Sequence, residues 1–207
     1  MDAVAYALAN AIPATSTVAN SGSVYKTSLP SAVYNHAQST LGDGTVLVTG
    51  GNLSGWPPAR TNVVRSYSPV TNSWTTKASL SFNRASHAQS TLVDGTALVT
   101  GGYDAGGGPT SDVRSYSAVT NSWTARTSSP SSLLDHAQST LGDGTALVTG
   151  GGGGGSPASS VVYSYNPTTD TWTTKTSMPA TRYRHAQSTL ADGTALVTGG
   201  YVGGASS

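Results

Sequence analysis

Short apolar or alternating runs, separated by turn-forming residues, recur along the chain in one fixed order. The segment His136–Gly151, HAQSTLGDGTALVTGG, returns with changes at one or two places from His36, His87 and His185. Within it HAQSTL reads as a short strand, and GDGT, VDGT or ADGT puts Asp-Gly where a tight hairpin wants positive φ. ALVTGG is the returning strand. After a Gly/Ser/Pro loop comes VVYSYNP (Val161–Pro167), whose Val and Tyr suit a pleated, half-buried surface. TTDTW turns the chain, and WTTKTSMP (Trp172–Pro179) is an outermost strand that leads into the next HAQSTL. These strands are named A to D.

The four histidines are spaced 51, 49 and 49 residues apart, and Trp74, Trp123 and Trp172 lie 49 apart. A period near fifty is that of a propeller blade. The spacing therefore predicts an all-β, single-domain chain over residues 1–207, built from blades that are each a four-stranded antiparallel sheet. Beyond Gly200 only YVGGASS remains, so the last blade has strands A and B but not C and D. At the other end NSGSVYKTSLP (Asn20–Pro30) aligns with a D strand, Ser23 standing where Trp is expected, and AVAYALA within residues 1–15 is a candidate C strand or an extension. Four blades closed by pairing amino-terminal with carboxyl-terminal strands is the expected architecture, because closure removes exposed edges. The alternative is an arc that pairs with a second chain in a larger ring.

With these segments in hand, the chain resembles the kelch-repeat β-propellers of bacterial style. Gly50-Gly51, Gly101-Gly102, Gly150-Gly151 and Gly199-Gly200 match that family's paired glycines, and VRSYSPVTNSW, VRSYSAVTNSW and VVYSYNPTTDTW match its Tyr-x-Pro-x-Thr-x-x-Trp segment, with Ala118 in place of Pro in the second. The resemblance spans about residues 16–200. It implies structural roles for these residues: close backbone approach at the glycines, and aromatic filling of the wedge between blades. Kelch rings commonly have six or seven blades, more than the four here.

Composition narrows the function. Only 9% of residues are charged and the formal net charge is +1, which gives no electrostatic grip on nucleic acid or an anionic membrane. There is no Cys, hence no disulfide, thiolate metal site or thiol nucleophile. The kelch-propeller copper oxidases need a Tyr cross-linked to Cys, so the resemblance does not extend to their chemistry. Four aspartates (Asp43, Asp94, Asp143, Asp192) lie in hairpin turns and Asp170 in another turn, leaving only Asp104, Asp112 and Asp135 to reach the variable face. Paired-carboxylate hydrolysis is disfavoured on that count. No Gly-x-Ser-x-Gly elbow or phosphate loop occurs. No enzyme activity and no cofactor are expected. No apolar run approaches the ~20 residues of a membrane helix, and the opening MDAVAYALANAIPATS reads as mature sequence without a basic leader.

Because strands alternate in direction, the A–B and C–D turns share one face and the B–C and D–A loops share the other. The first face is monotonous. The second carries nearly all variation among repeats, in NLSGWPPARTN, YDAGGGPTSD, GGGGSPASS and YVGGASS and in the short AVYN, NRAS, SLLD and TRYR segments before each His. Candidate ligand-binding residues there are Trp56, Arg60, Tyr103, Asp104, Asp135, Tyr183, Arg184 and Tyr34, types that binding faces favour. Arg84 and Arg182, three before their histidines, belong more to the kelch pattern. His36, His87, His136 and His185 are the only metal candidates, as an axial imidazole ring, but the kelch resemblance implies instead that each bonds a neighbouring blade's backbone.

The expected function is a non-enzymatic binding module, extracellular or on a cell surface, that takes a protein or peptide on the B–C and D–A face. The alternatives are a glycan-binding, lectin-like propeller, with Trp56, Tyr103 and Tyr183 as stacking residues, and a self-associating structural repeat protein. Monomer or ring-forming homo-oligomer are both compatible with the sequence.

Overall fold

A computed structural model describes residues 16–19, 22–55 and 59–202, and every regular element among them is a strand. β1 (Ser16–Ala19) and β2 (Gly22–Tyr25) form a hairpin of their own. β3 (Val33–Tyr34) pairs with β6 (Asn52–Leu53), tying the loop before one His to the loop after its double glycine. The first four-stranded antiparallel sheet is β4 (Ala37–Thr40), β5 (Val46–Thr49), β7 (Val64–Ser68) and β8 (Ser73–Lys77).

The same plan repeats. β9 (Ala88–Thr91), β10 (Ala97–Thr100), β11 (Val113–Ser117) and β12 (Ser122–Arg126) make the second sheet. β13 (Ala137–Thr140), β14 (Ala146–Thr149), β15 (Val162–Asn166) and β16 (Thr171–Thr174) make the third. β17 (Arg182–Tyr183) pairs with β20 (Tyr201–Val202), and β18 (Ala186–Thr189) with β19 (Ala195–Thr198). Strands A to D are thus in the expected order, a residue or more shorter at their ends. The A strands β4, β9, β13 and β18 stand side by side in that sequence.

Each Asp-Gly hairpin has a definite chemistry. Only the glycine takes positive φ (80° at Gly44, 86° at Gly144), so the turn is a type I turn with a glycine bulge, not the mirror-image turn in which both residues are left-handed. The aspartate contributes otherwise: Thr45 donates both its amide (2.9 Å) and its hydroxyl (2.7 Å) to Asp43 Oδ1. Asp94, Asp143 and Asp192 repeat this with Thr96, Thr145 and Thr194.

The core lies between sheets. Leu41, Leu47 and Val64 of the first meet Ala97, Tyr116 and Trp123 of the second. Leu92, Leu98 and Val113 meet Ala146, Tyr165 and Trp172 in the same way. Within a sheet Tyr and Trp are cross-strand partners, with ring centroids 5.1 Å apart for Tyr116–Trp123. The paired glycines are pinched: a Cβ on Gly101 would lie 2.5 Å from the Leu133 carbonyl oxygen, and one on Gly102 2.7 Å from that of Ala85. Close backbone approach is therefore what these glycines permit.

Among the described residues no sheet joins amino-terminal to carboxyl-terminal strands: β1–β2 and β18–β19 are separate two-stranded sheets. Pairing Val18 with Ser23 reproduces Tyr67 with Trp74, so β1–β2 is a C–D hairpin in register, with a shorter turn and a C strand at 16–19. AVAYALA and the rest of residues 1–15 lie outside the described residues.

Trp123 is half-buried, and its indole N–H donates to the Ala78 carbonyl of the preceding sheet's edge at 2.7 Å. Trp123→Ala should lower unfolding free energy by about 3 kcal/mol. Tyr116→Phe, which loses only the hydroxyl bond to Asn121 (2.9 Å), should cost about 1 kcal/mol. Denaturant melts of the two variants check the ranking, and equal losses would place the indole outside the inter-sheet wedge.

Candidate functional site

Neighbouring sheets are joined at their inner edge by one relay. His87 Nε2 lies 2.8 Å from Thr49 Oγ1, and the same threonine donates to Gln89 Oε1 at 2.7 Å. A hydroxyl has one proton, and Thr49 gives it to Gln89, so His87 must donate from Nε2. Gln89 Nε2 in turn donates to Ser39 Oγ (2.9 Å) and the Leu47 carbonyl (3.2 Å). Thr100 with His136 and Gln138, and Thr149 with His185 and Gln187, are copies. The partner of these three histidines is thus a threonine side chain, which corrects the expected backbone partner. Each of these three Nε2 atoms is engaged by a threonine, and no group of three metal-binding side chains occurs among the described residues.

Immediately before each His the backbone is left-handed: φ is 54° at Asn35, 56° at Ser86, 49° at Asp135 and 53° at Arg184. A non-glycine residue accepts this conformation only when its surroundings fix it. Here they do. Ser86 donates its amide to Asn35 O, Asp135 to Ser86 O, and Arg184 to Asp135 O, at 2.9, 3.1 and 2.8 Å. Four consecutive D–A loops are therefore stitched into one band, and its four residues carry unlike side chains.

Beside this band sits a cluster from the variable loops. The Arg60 guanidinium lies 4.9 Å over the Tyr103 ring. Arg184 Nε donates to Asp135 Oδ2 at 3.0 Å and Arg184 also lies over Tyr183, at 5.9 Å. Tyr183 stacks on Tyr201 with centroids 5.3 Å apart. Gly153 and Gly154 link the two halves: a Cβ on the first would touch Asp135 and Tyr183, and on the second the Tyr103 hydroxyl. The structure thus brings together Arg60, Tyr103, Asp135, Tyr183 and Arg184.

Other candidates have different places. Asp104 Oδ1 accepts the Gly108 amide at 3.0 Å and closes its own loop. Tyr34 is exposed in β3, opposite Asn52. Trp56 lies outside the described residues. Arg84 is fully buried, donating to the Gly101 carbonyl at 2.7 Å, paired with Asp112 and set over Phe82. Arg182 likewise donates to the Gly199 carbonyl at 2.7 Å.

Sequence reasoning passed over Asn35 and Ser86 in the band, Tyr201 in the cluster, and the threonine–glutamine relay. The relay had a signal, since Gln and Thr recur unchanged in every copy of the sixteen-residue segment. A groove of about 70 Å³ between the second and third B–C loops, walled by Pro109, Ser132, Leu134 and Pro157, is well below the few hundred Å³ of sites that bury small molecules.

An all-β row of four-stranded antiparallel sheets, each opening on a paired-glycine hairpin and closed by a Tyr–Trp pair, defines a class of repeat protein. Residues 84–130 and 136–179 each match the family model of the Kelch motif. The chain thus contains two kelch motifs in tandem. No curated protein matches it. Kelch repeats generally mediate protein–protein interaction, and their proteins are typically binding or scaffold modules without catalytic activity.

Burial holds all four histidines below their ordinary pKa, and pushes His136 down to about 3. Charges on Arg84 and neighbouring histidines add to the effect at His87 and His136. Folded histidines then refuse protons that the unfolded chain accepts. Their stabilising effect is complete above pH 6.5 and is lost as pH falls toward the folded values, at up to about 1.4 kcal/mol per pH unit per histidine. The lowered carboxyl pKa values of Asp43, Asp143 and Asp170 act only lower, below about pH 3.8. Denaturant midpoints should therefore fall steadily from pH 6.5 to 4.5 and fall less in His136→Gln. A flat profile in the wild type across that window would mean that the histidines titrate normally.

Proposed function

We propose that the chain is a non-enzymatic propeller module whose B–C and D–A loop face binds a protein or an extended peptide. The observation that carries this reading is the cluster of Arg60, Tyr103, Asp135, Tyr183 and Arg184. Its residues come from loops of all four repeats, yet sit on a band of backbone held rigid by hydrogen bonds. Tyr and Arg on a preorganised surface lose little side-chain freedom on binding and make the contacts that dominate interfaces. The small groove favours a partner that lies across the face over one that is engulfed. The two arginines and Asp135 suit a segment with an acidic side chain near a hydrogen-bond donor, flanked by an apolar or aromatic residue for Tyr103. An extracellular or cell-surface setting accords with this use.

Selection of displayed random peptides on the intact protein tests the reading. Enriched sequences should contain acidic and aromatic positions. They should lose at least tenfold in affinity on Tyr103→Ala or Tyr183→Ala, with unchanged melting of both variants. Peptides indifferent to both substitutions, or binding only to a glycan array through Tyr183, would move the function away from this surface and class of partner.

A further inference from the structure

The row of sheets has two unlike ends, and each is the missing half of an interface that the structure forms three times. Every internal interface has an acceptor side and a donor side. The acceptor side, on the earlier sheet, presents a serine hydroxyl, a leucine carbonyl and a threonine hydroxyl: Ser39, Leu47 and Thr49, then Ser90, Leu98 and Thr100, then Ser139, Leu147 and Thr149. The donor side, on the later sheet, presents His, Gln and a second Thr, such as His87, Gln89 and Thr91.

On the β18–β19 pair the acceptor positions are Ser188, Leu196 and Thr198, and all three residues are exposed. On the first sheet the donor positions are His36, Gln38 and Thr40, and both Gln38 and Thr40 are exposed. The apolar complement follows the same logic. Leu190 and Leu196 are 42% and 47% exposed, whereas their equivalents Leu41 and Leu47 are 4% and 0% exposed. What covers Leu41 and Leu47 is Ala97, Tyr116 and Trp123. The equivalents of those on the first sheet are Val46, Tyr67 and Trp74.

The three formed interfaces use the same bonds, so they set nearly the same rotation from one sheet to the next. Were that rotation a quarter turn, β18 would stand beside β4 and these side chains would be covered. They are exposed, so one chain's curvature does not bring its ends together. We infer that the β18–β19 face binds the β4 face of a second copy of this chain, head to tail. Two free strand edges support the same geometry: among the described residues β19 pairs only with β18, and β1 only with β2. If β1 of the second copy pairs with β19 as β7 pairs with β5, Ala195 stands opposite Val18 and Leu196 opposite Thr17. The second copy's C–D hairpin then completes a blade begun by the first. The contact is heterologous, two different surfaces meeting, so each copy keeps one free donor end and one free acceptor end until the assembly closes.

Light scattering on the whole chain tests this with Thr198→Lys, which blocks the acceptor end, and Gln38→Lys, which blocks the donor end. Both residues are exposed, so each variant should melt like the dilute wild type. The wild type should have the mass of two or more chains, and each variant alone the mass of one. An equimolar mixture of the two variants should give a complex of two chains, one of each, because the unblocked ends match. Leu196→Lys in place of Thr198→Lys should behave in the same way. A wild type that stays monomeric at every concentration, variants that associate as it does, or a mixture that stays monomeric would each overturn the assignment.

Discussion

A threonine hydroxyl between two sheets is the constraint on which the rest depends. Thr49, Thr100 and Thr149 each accept a hydrogen bond from an imidazole and donate one to a glutamine of the next sheet, in sites with almost no exposure. A buried hydroxyl with both functions used is favourable, and the same group with one partner removed is costly. The relay therefore works only when the sheets sit at one separation and one angle. It also holds the histidines with the proton on Nε2, and burial, which disfavours their charged form, leaves an Nδ1 that has no partner. A chain so poor in charged residues has few ion pairs with which to orient its sheets, and this repeated neutral network takes their place.

At the outer rim a second device holds the same angle. Asn72 adopts φ of 50° and its Oδ1 accepts both the Tyr67 hydroxyl (2.8 Å) and the Thr27 amide (2.9 Å), while Trp74 donates to the Thr27 carbonyl at 2.8 Å. Asn121 and Asp170 do likewise with Ala78 and Thr127. The second and third sheets thus each grip the backbone of the one before at both inner and outer edges. Loops between these anchors can vary in length and composition without disturbing them, which is why the Arg60–Tyr103 and Asp135–Arg184 contacts occupy the B–C and D–A loops. The left-handed residues ahead of each His belong to the scaffold by backbone and to the surface by side chain.

The sequence by itself determined the local units. Asp-Gly-Thr specifies the hairpin, the Val/Tyr run and the Trp strand specify the C–D pair, and the recurrence of all of them specifies a row of like sheets. It also marked the variable face, because loops that differ between repeats stand out against segments that do not. Tertiary structure decided what identical residues do. Leu47 and Leu196 follow the same pattern in the same strand, yet one is 0% and the other 47% exposed. Arg84 and Arg184, both on the candidate face by sequence, separate into a buried backbone donor and a surface ion pair. Tyr103 meets Arg60 from another repeat, and no spacing along the chain announces that contact. The physical reason is one of range. Turn and strand preferences are settled by neighbours a few residues away, whereas burial and hydrogen-bond partners depend on the adjoining sheet, some fifty residues off, and on whether such a sheet is there at all.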